Sequence, residues 1–148
     1  VGSDRHEIDG SSQAVGDDAL SAYVAARDDL CRSYSVTMEP LQARVSYLYN
    51  PAATDASRDD AVDALREITG VFNDLVADLL ALDPPDDLRT AHVMNATRYD
   101  AIRVLLLLEQ SLLNLGDTTS AQAVERAGNA IAAQLSAFEV EYGLTGCP

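Results

Sequence analysis

Apolar residues recur at three- and four-residue spacing in four successive segments of this chain, and no run of Val, Ile, Thr or Tyr alternates with polar residues. That period is the helical one: 3.6 residues per turn bring positions i, i+3, i+4 and i+7 onto one face, whereas a half-buried strand needs a period of two. The clearest stripe is Ala61, Ala64, Leu65, Ile68, Phe72, Leu75, Val76, Leu79 and Leu82. Asn50-Pro51 ends the segment before it, Ser57 with Asp60 three residues on resembles an acidic variant of the capping box, and Asp83-Pro84-Pro85 must stop the helix.

The first helix is expected to start at Asp17 or Asp18, where an aspartate accepts orphan backbone N–H bonds, and to run through Leu20, Val24, Leu30, Cys31, Tyr34, Met38, Leu41, Val45 and Leu48. Pro40 inside this pattern removes a backbone donor and predicts a kink or short break. The third helix opens at Pro85 with Asp86 and Asp87 at the positive end of its dipole. It carries Leu88, Ala91, Val93, Ala96, Tyr99, Ile102, Leu105, Leu106, Leu112 and Leu113 and becomes apolar all round near its middle. Gly116-Asp117 breaks it, and Thr118, Thr119 or Ser120 caps a fourth, in which Val124, Ala127, Ile131, Leu135, Phe138 and Tyr142 lead to a C-terminal cap at Gly143. Connections this short force neighbours to be antiparallel, so the predicted fold is all-α, an up-down-up-down four-helix bundle with a kinked first helix. Residues 1–16 have no apolar period and read as a flexible leader, which leaves 17–148 as one bundle domain.

At 148 residues the chain is long enough for one domain with a real core. Its net charge of -14, with Arg as the only strong base and no Lys, repels nucleic-acid phosphates and anionic headgroups. The charge suits a cationic partner, or is simply a solvated acidic surface. Arg103 and Glu109 bracket the most apolar run, Val104 to Leu108, so no segment reaches the roughly 20 apolar residues of a membrane span.

Cys31 lies on the stripe of helix one and Cys147 just past the end of helix four. An antiparallel bundle brings these two ends together, and a few extended tail residues at roughly 3.3 Å each reach back to the turn holding Cys31. A disulfide is expected, the alternative being one core thiol and one thiol on a frayed tail. With the bridge formed, the chain works in an oxidising compartment.

Cys31 in helix one, the segment Leu82-Asp83-Pro84-Pro85-Asp86-Asp87-Leu88 with His92 soon after, and the closing Tyr142-Gly143-Leu144 with Cys147 resemble small exported helical proteins and lipoproteins of GC-rich actinobacteria, from about residue 20 to the end. These motifs are caps and turns rather than chemistry, so the resemblance implies an exported bundle and carries over no functional residue.

Catalytic signatures are missing. No Glu is followed by His three residues later, as a di-iron bundle needs, and Cys31 is followed by Arg32-Ser33-Tyr34 rather than by a haem-attachment motif. The acidic pairs Asp28-Asp29, Asp59-Asp60 and Asp86-Asp87 lack the alternating spacing of a calcium loop. His92 with Met94, Asn95, Arg98 and Tyr99 forms the one mixed polar and soft cluster on helix three, and His92, Met94 and Tyr99 are the candidate mouth of a small-ligand or haem pocket, against the plain reading of a histidine near a helix start. No cofactor or metal is assigned. The function expected is a non-catalytic, secreted or periplasmic domain at the cell envelope that binds a partner protein or ligand, the alternative being a small-ligand or haem/metal carrier with its pocket between helices. The chain is expected to be a monomer, or a dimer through helix three, whose leucines cover more of the circumference than one stripe buries.

Overall fold

The computed structural model describes residues 11–144 and 147, with side chains from residue 16 onward. Its helices are α1 (Ser11–Val45), α2 (Asp55–Ala81), α3 (Arg89–Asn114) and α4 (Thr118–Glu141), with a 3-10 turn at Asp86–Leu88 leading into α3 and no strand among the described residues. Each helix packs against the next in sequence, which with short connections makes an antiparallel four-helix bundle. The expected α2 stripe lies inside: Ala61, Ala64, Leu65, Ile68, Phe72, Leu75 and Leu79 are buried, the large ones contributing roughly 1.5–3 kcal/mol each relative to exposure. Met38 and Leu41 of α1, Tyr99 and Ile102 of α3 and Leu135 of α4 complete the main core.

Several helix ends differ from those expected. Residues 11–16, expected in the leader, are the first turns of α1. A nucleated helix gains a hydrogen bond per added residue and needs no apolar period to extend. Residues 1–10 of the expected leader lie outside the described residues. The helix runs unbroken across Pro40, because Pro40 and Val36, four residues earlier, both face solvent, where the carbonyl deprived of its donor is hydrated. It ends at Val45, five residues before Asn50, and a set of turns follows in which the Leu48 N–H donates to the Val45 carbonyl at 2.9 Å.

Capping follows the physics anticipated but from neighbouring residues. Thr54, not Ser57, caps α2 by accepting the Ser57 N–H at 3.1 Å. Asp117 caps α4 by accepting the Ser120 N–H at 3.0 Å, and these Ser120 bonds hold its carboxyl below the ordinary value. Gly116 (φ 78°) and Gly143 (φ 63°) take the left-handed conformation just beyond α3 and α4. There the Asp117 and Leu144 N–H groups donate back to the Leu112 and Glu139 carbonyls at 2.9 and 2.8 Å.

The bundle is not closed evenly. Among the described residues, no Cα of α1 comes within 8 Å of a Cα of α4, although α1–α2, α2–α3 and α3–α4 all approach that closely. Along α4 no side chain between Ala121 and Leu135 is buried, and Val124 and Ile131 of the core-facing stripe are only half-buried. On α3, Val104, Leu107 and Leu108 stand 44–51% exposed, so its apolar circumference does exceed what the bundle buries. No described helix is long and apolar enough to cross a membrane.

Candidate functional site

Two regions lie along the α1–α4 seam. The first is a sealed polar cluster. Arg27 sits four residues from both Tyr23 and Cys31, so helical geometry places all three on the inner face of α1, and its side chain is 0% exposed. Arg27 Nη2 donates to Asn95 Oδ1 at 2.8 Å and to Glu139 Oε1 at 3.3 Å. The same Glu139 oxygen accepts from the Tyr99 hydroxyl at 2.8 Å and from the Cys147 N–H at 3.3 Å. Arg27 Nη1 lies 3.3 Å from Cys31 Sγ and 3.7 Å from Cys147 Sγ, and the guanidinium lies 5.9 Å from the centroid of the Phe138 ring. Cys31 and Cys147 are at disulfide distance, with Cα atoms 4.4 Å apart. The expected pairing is thus present, and a buried ion pair lies against it.

Satisfaction of this cluster is incomplete: Arg27 Nε and Asn95 Nδ2 are buried without a hydrogen-bond acceptor. Beside them the Tyr23 hydroxyl and His92 Nδ1 are 2.8 Å apart, with the rings edge to face. Burial pulls His92 below its ordinary pKa, the nearby Leu79 backbone opposes this, and the positive charges of Arg27 and Arg89 reinforce it, while His92 Nε2 is buried without a hydrogen-bond partner. Burial, then the charge of Glu139 and the bond to it, push the Tyr99 hydroxyl well above its usual range. Both shifts favour the neutral forms of His92 and Tyr99.

The second region is a groove of about 240 Å³ in the middle of the seam, to which all four helices contribute. Its walls are Met38, Gln42 and Val45 of α1 and Val124, Gly128, Asn129 and Ala132 of α4; Leu65, Ile68, Phe72, Ile102, Leu105 and Leu106 form the floor. A Cβ at Gly128 would meet nothing within 4 Å, so a side chain placed there has open space. Glu109 of α3 and Glu125 of α4 also line the groove, and no basic residue does. Glu109 is 3% exposed. One of its oxygens accepts the Tyr49 hydroxyl. Burial raises its pKa, the Tyr49 bond opposes this in part, and the charge of Glu125 adds to the rise. Tyr49 is itself pushed up by burial, by the bond to Glu109 and by the charges of Glu109 and Glu125.

Of the residues anticipated at a ligand mouth, His92 and Tyr99 are seven apart on the inner face of α3 and both join the sealed cluster; neither lines the groove. Met94 is 52% exposed on another face, beside a shallow depression with Ala91, Arg98, Phe138 and Tyr142. The three do not converge on one cavity. Asn95, named in the sequence as part of the polar cluster around His92, does join the sealed cluster. Arg27, Glu109 and Glu139 were missed because they are polar, yet each interrupts an apolar stripe at helical spacing, and that interruption was the available signal. A wider hollow lies between the start of α1, the Asp83–Arg89 turn and the end of α4. It is open to solvent, and two of its carboxylates, Asp83 and Asp86, already pair with Arg89. Among the described residues no three or more His, Cys, Asp or Glu side chains are grouped to hold a metal ion. No protein-family model, curated protein or solved structure matches this chain.

Proposed function

We propose that this is a non-catalytic binding protein of the cell envelope, which holds a small, largely apolar ligand in the groove between α1 and α4. The observation that carries this reading is the unequal closure of the bundle: three helix pairs are packed, whereas the fourth is left apart over an apolar floor. Apolar clefts with a few convergent polar groups are the usual form of small-molecule sites, including those between the helices of bundles. Export is supported by a cysteine pair at disulfide distance, which an oxidising compartment preserves. The groove replaces a mouth at His92, Met94 and Tyr99 as the place for the ligand.

A titration of the isotope-labelled protein with short straight-chain alkanols tests this. One saturable set of NMR shifts is expected at Met38, Val45, Ile68, Val124 and Leu135, and it should vanish in Gly128→Leu, whose side chain occupies the groove. Shifts that scatter over the surface, or that survive in Gly128→Leu, would remove the groove as the site.

A further inference from the structure

We propose that the ligand of this groove is an amphiphilic cation, an aliphatic chain ending in an ammonium group that Glu109 receives and Glu125 attracts. The inference rests on the groove being the ligand site and adds the chemistry of what enters it.

Three observations carry it. The floor and most of the wall are aliphatic or aromatic, so the body of the ligand is apolar. The polar side chains lining the groove are two carboxylates and the amides of Gln42 and Asn129, with no arginine or histidine among them. An anionic ligand would meet two like charges there, and a neutral one would leave them uncompensated. Third, Glu109 is almost wholly buried, yet among the described residues its carboxylate has no cation partner and accepts one side-chain hydrogen bond, from the Tyr49 hydroxyl. Every other buried carboxylate among the described residues, which is Glu139 alone, has an arginine against it. A buried carboxylate without a counter-ion is costly, and an ammonium brought in by the ligand supplies that counter-ion. Its N–H groups fit the second oxygen of Glu109, while the half-buried Glu125 on the neighbouring helix α4 adds attraction. The overall charge of -14 raises the local concentration of such a cation but does not place it.

Calorimetric titration of the full chain with hexylammonium and with hexan-1-ol, a neutral molecule of the same chain length, tests the assignment. The expected result is hexylammonium binding at least tenfold tighter than hexan-1-ol. In Glu109→Gln, which can still accept from Tyr49, hexylammonium should bind about ten- to a hundredfold more weakly while hexan-1-ol is unchanged. Glu125→Gln should show a smaller loss in the same direction, and it is the second variant should Glu109→Gln not fold. Equal affinity for the two ligands, with no change in either variant, would overturn the cation while leaving an apolar ligand site in place. Hexylammonium binding that persists in Gly128→Leu and fades with salt would mean pairing with the acidic surface, and would overturn the proposal. Absence of binding by both compounds would overturn the groove reading itself.

Discussion

At the cysteine end of the α1–α4 seam, Arg27 reaches Glu139 across the gap, Phe138 and Tyr99 fill the space around them, and Cys147 is brought against Cys31. Further along the same two helices, Met38, Gln42 and Val45 line one wall of the groove and the smaller Gly128, Asn129 and Ala132 the other, and among the described residues no hydrogen bond or ion pair joins the two walls. Large polar side chains anchored at both ends can bridge two helices that never come close. Small ones leave the intervening volume to whatever else enters. One helix pair is thereby given a rigid end and an open middle, and the experiments below ask whether the two are separable.

The largest effect should come from the covalent tie. Cys31 and Cys147 are separated by 116 residues, and the chain-entropy model assigns ~4–5 kcal/mol to a loop of that size. At 2–4 °C per kcal/mol for a domain of this length, reduction should lower the thermal midpoint by roughly 10–20 °C with the helical signal of the folded state unchanged. Where the reduced protein is still folded, amide shifts near Cys31 should move and those of Val45 and Val124 should not. Joint movement of both sets would make the seam one unit and break the comparison.

Next in size is the buried ion pair. Arg27→Met removes the cation that faces Glu139, whose carboxylate stays 8% exposed and keeps bonds from Tyr99 and Cys147. Stripping one partner from a buried pair costs about 3–5 kcal/mol, whereas replacing both by apolar groups is often neutral. Denaturant unfolding should therefore show a large loss for Arg27→Met and recovery of most of it in Arg27→Met with Glu139→Leu. A single-variant loss below about 1 kcal/mol would show that the disulfide alone closes this end.

How much of this was legible in sequence divides along the same line. The apolar spacing of α2 named seven of the eight residues buried on its inner face, missing the polar Thr69, and the breakers Pro84, Pro85, Gly116 and Gly143 placed the turns, because both signals are local. The cysteine pairing followed from topology, since antiparallel helices bring α1 and the tail after α4 together. The polar cluster did not follow, because the oxygen acceptors of the buried arginine, on Asn95 and Glu139, lie 68 and 112 residues away. The groove was least accessible of all: the stripe of α4 predicts a face turned inward, and Val124 and Ile131 do face inward. Whether α1 covers them depends on a helix separation that no periodicity records. His92 and Tyr99 looked like a ligand mouth because they are polar side chains on an otherwise apolar helix, and that same polarity is spent inside the fold on Tyr23 and Glu139.

The smallest effect expected is also the one most specific to the open middle. Glu109 is buried among apolar groups and faces the Tyr49 hydroxyl and the Glu125 carboxylate, and burial first and Glu125 second raise its pKa in the fold. In the unfolded chain it titrates near the ordinary glutamate value of about 4.3. Below that value both states hold the proton, and the carboxyl contributes no difference. As pH rises the unfolded chain releases its proton first, so the folded state loses stability until the folded pKa has been passed, beyond which the penalty is constant. Glu109→Gln keeps an acceptor for Tyr49 and never ionises. It should match the parent near about pH 3.5 and exceed it at neutral pH, by a margin on the order of 1 kcal/mol, in denaturant curves taken across that range. Glu125→Gln should narrow the margin by removing the like charge. If Glu109→Gln is instead the less stable protein at neutral pH, the ionised carboxylate is already compensated within the fold, and the groove has no need of a cation.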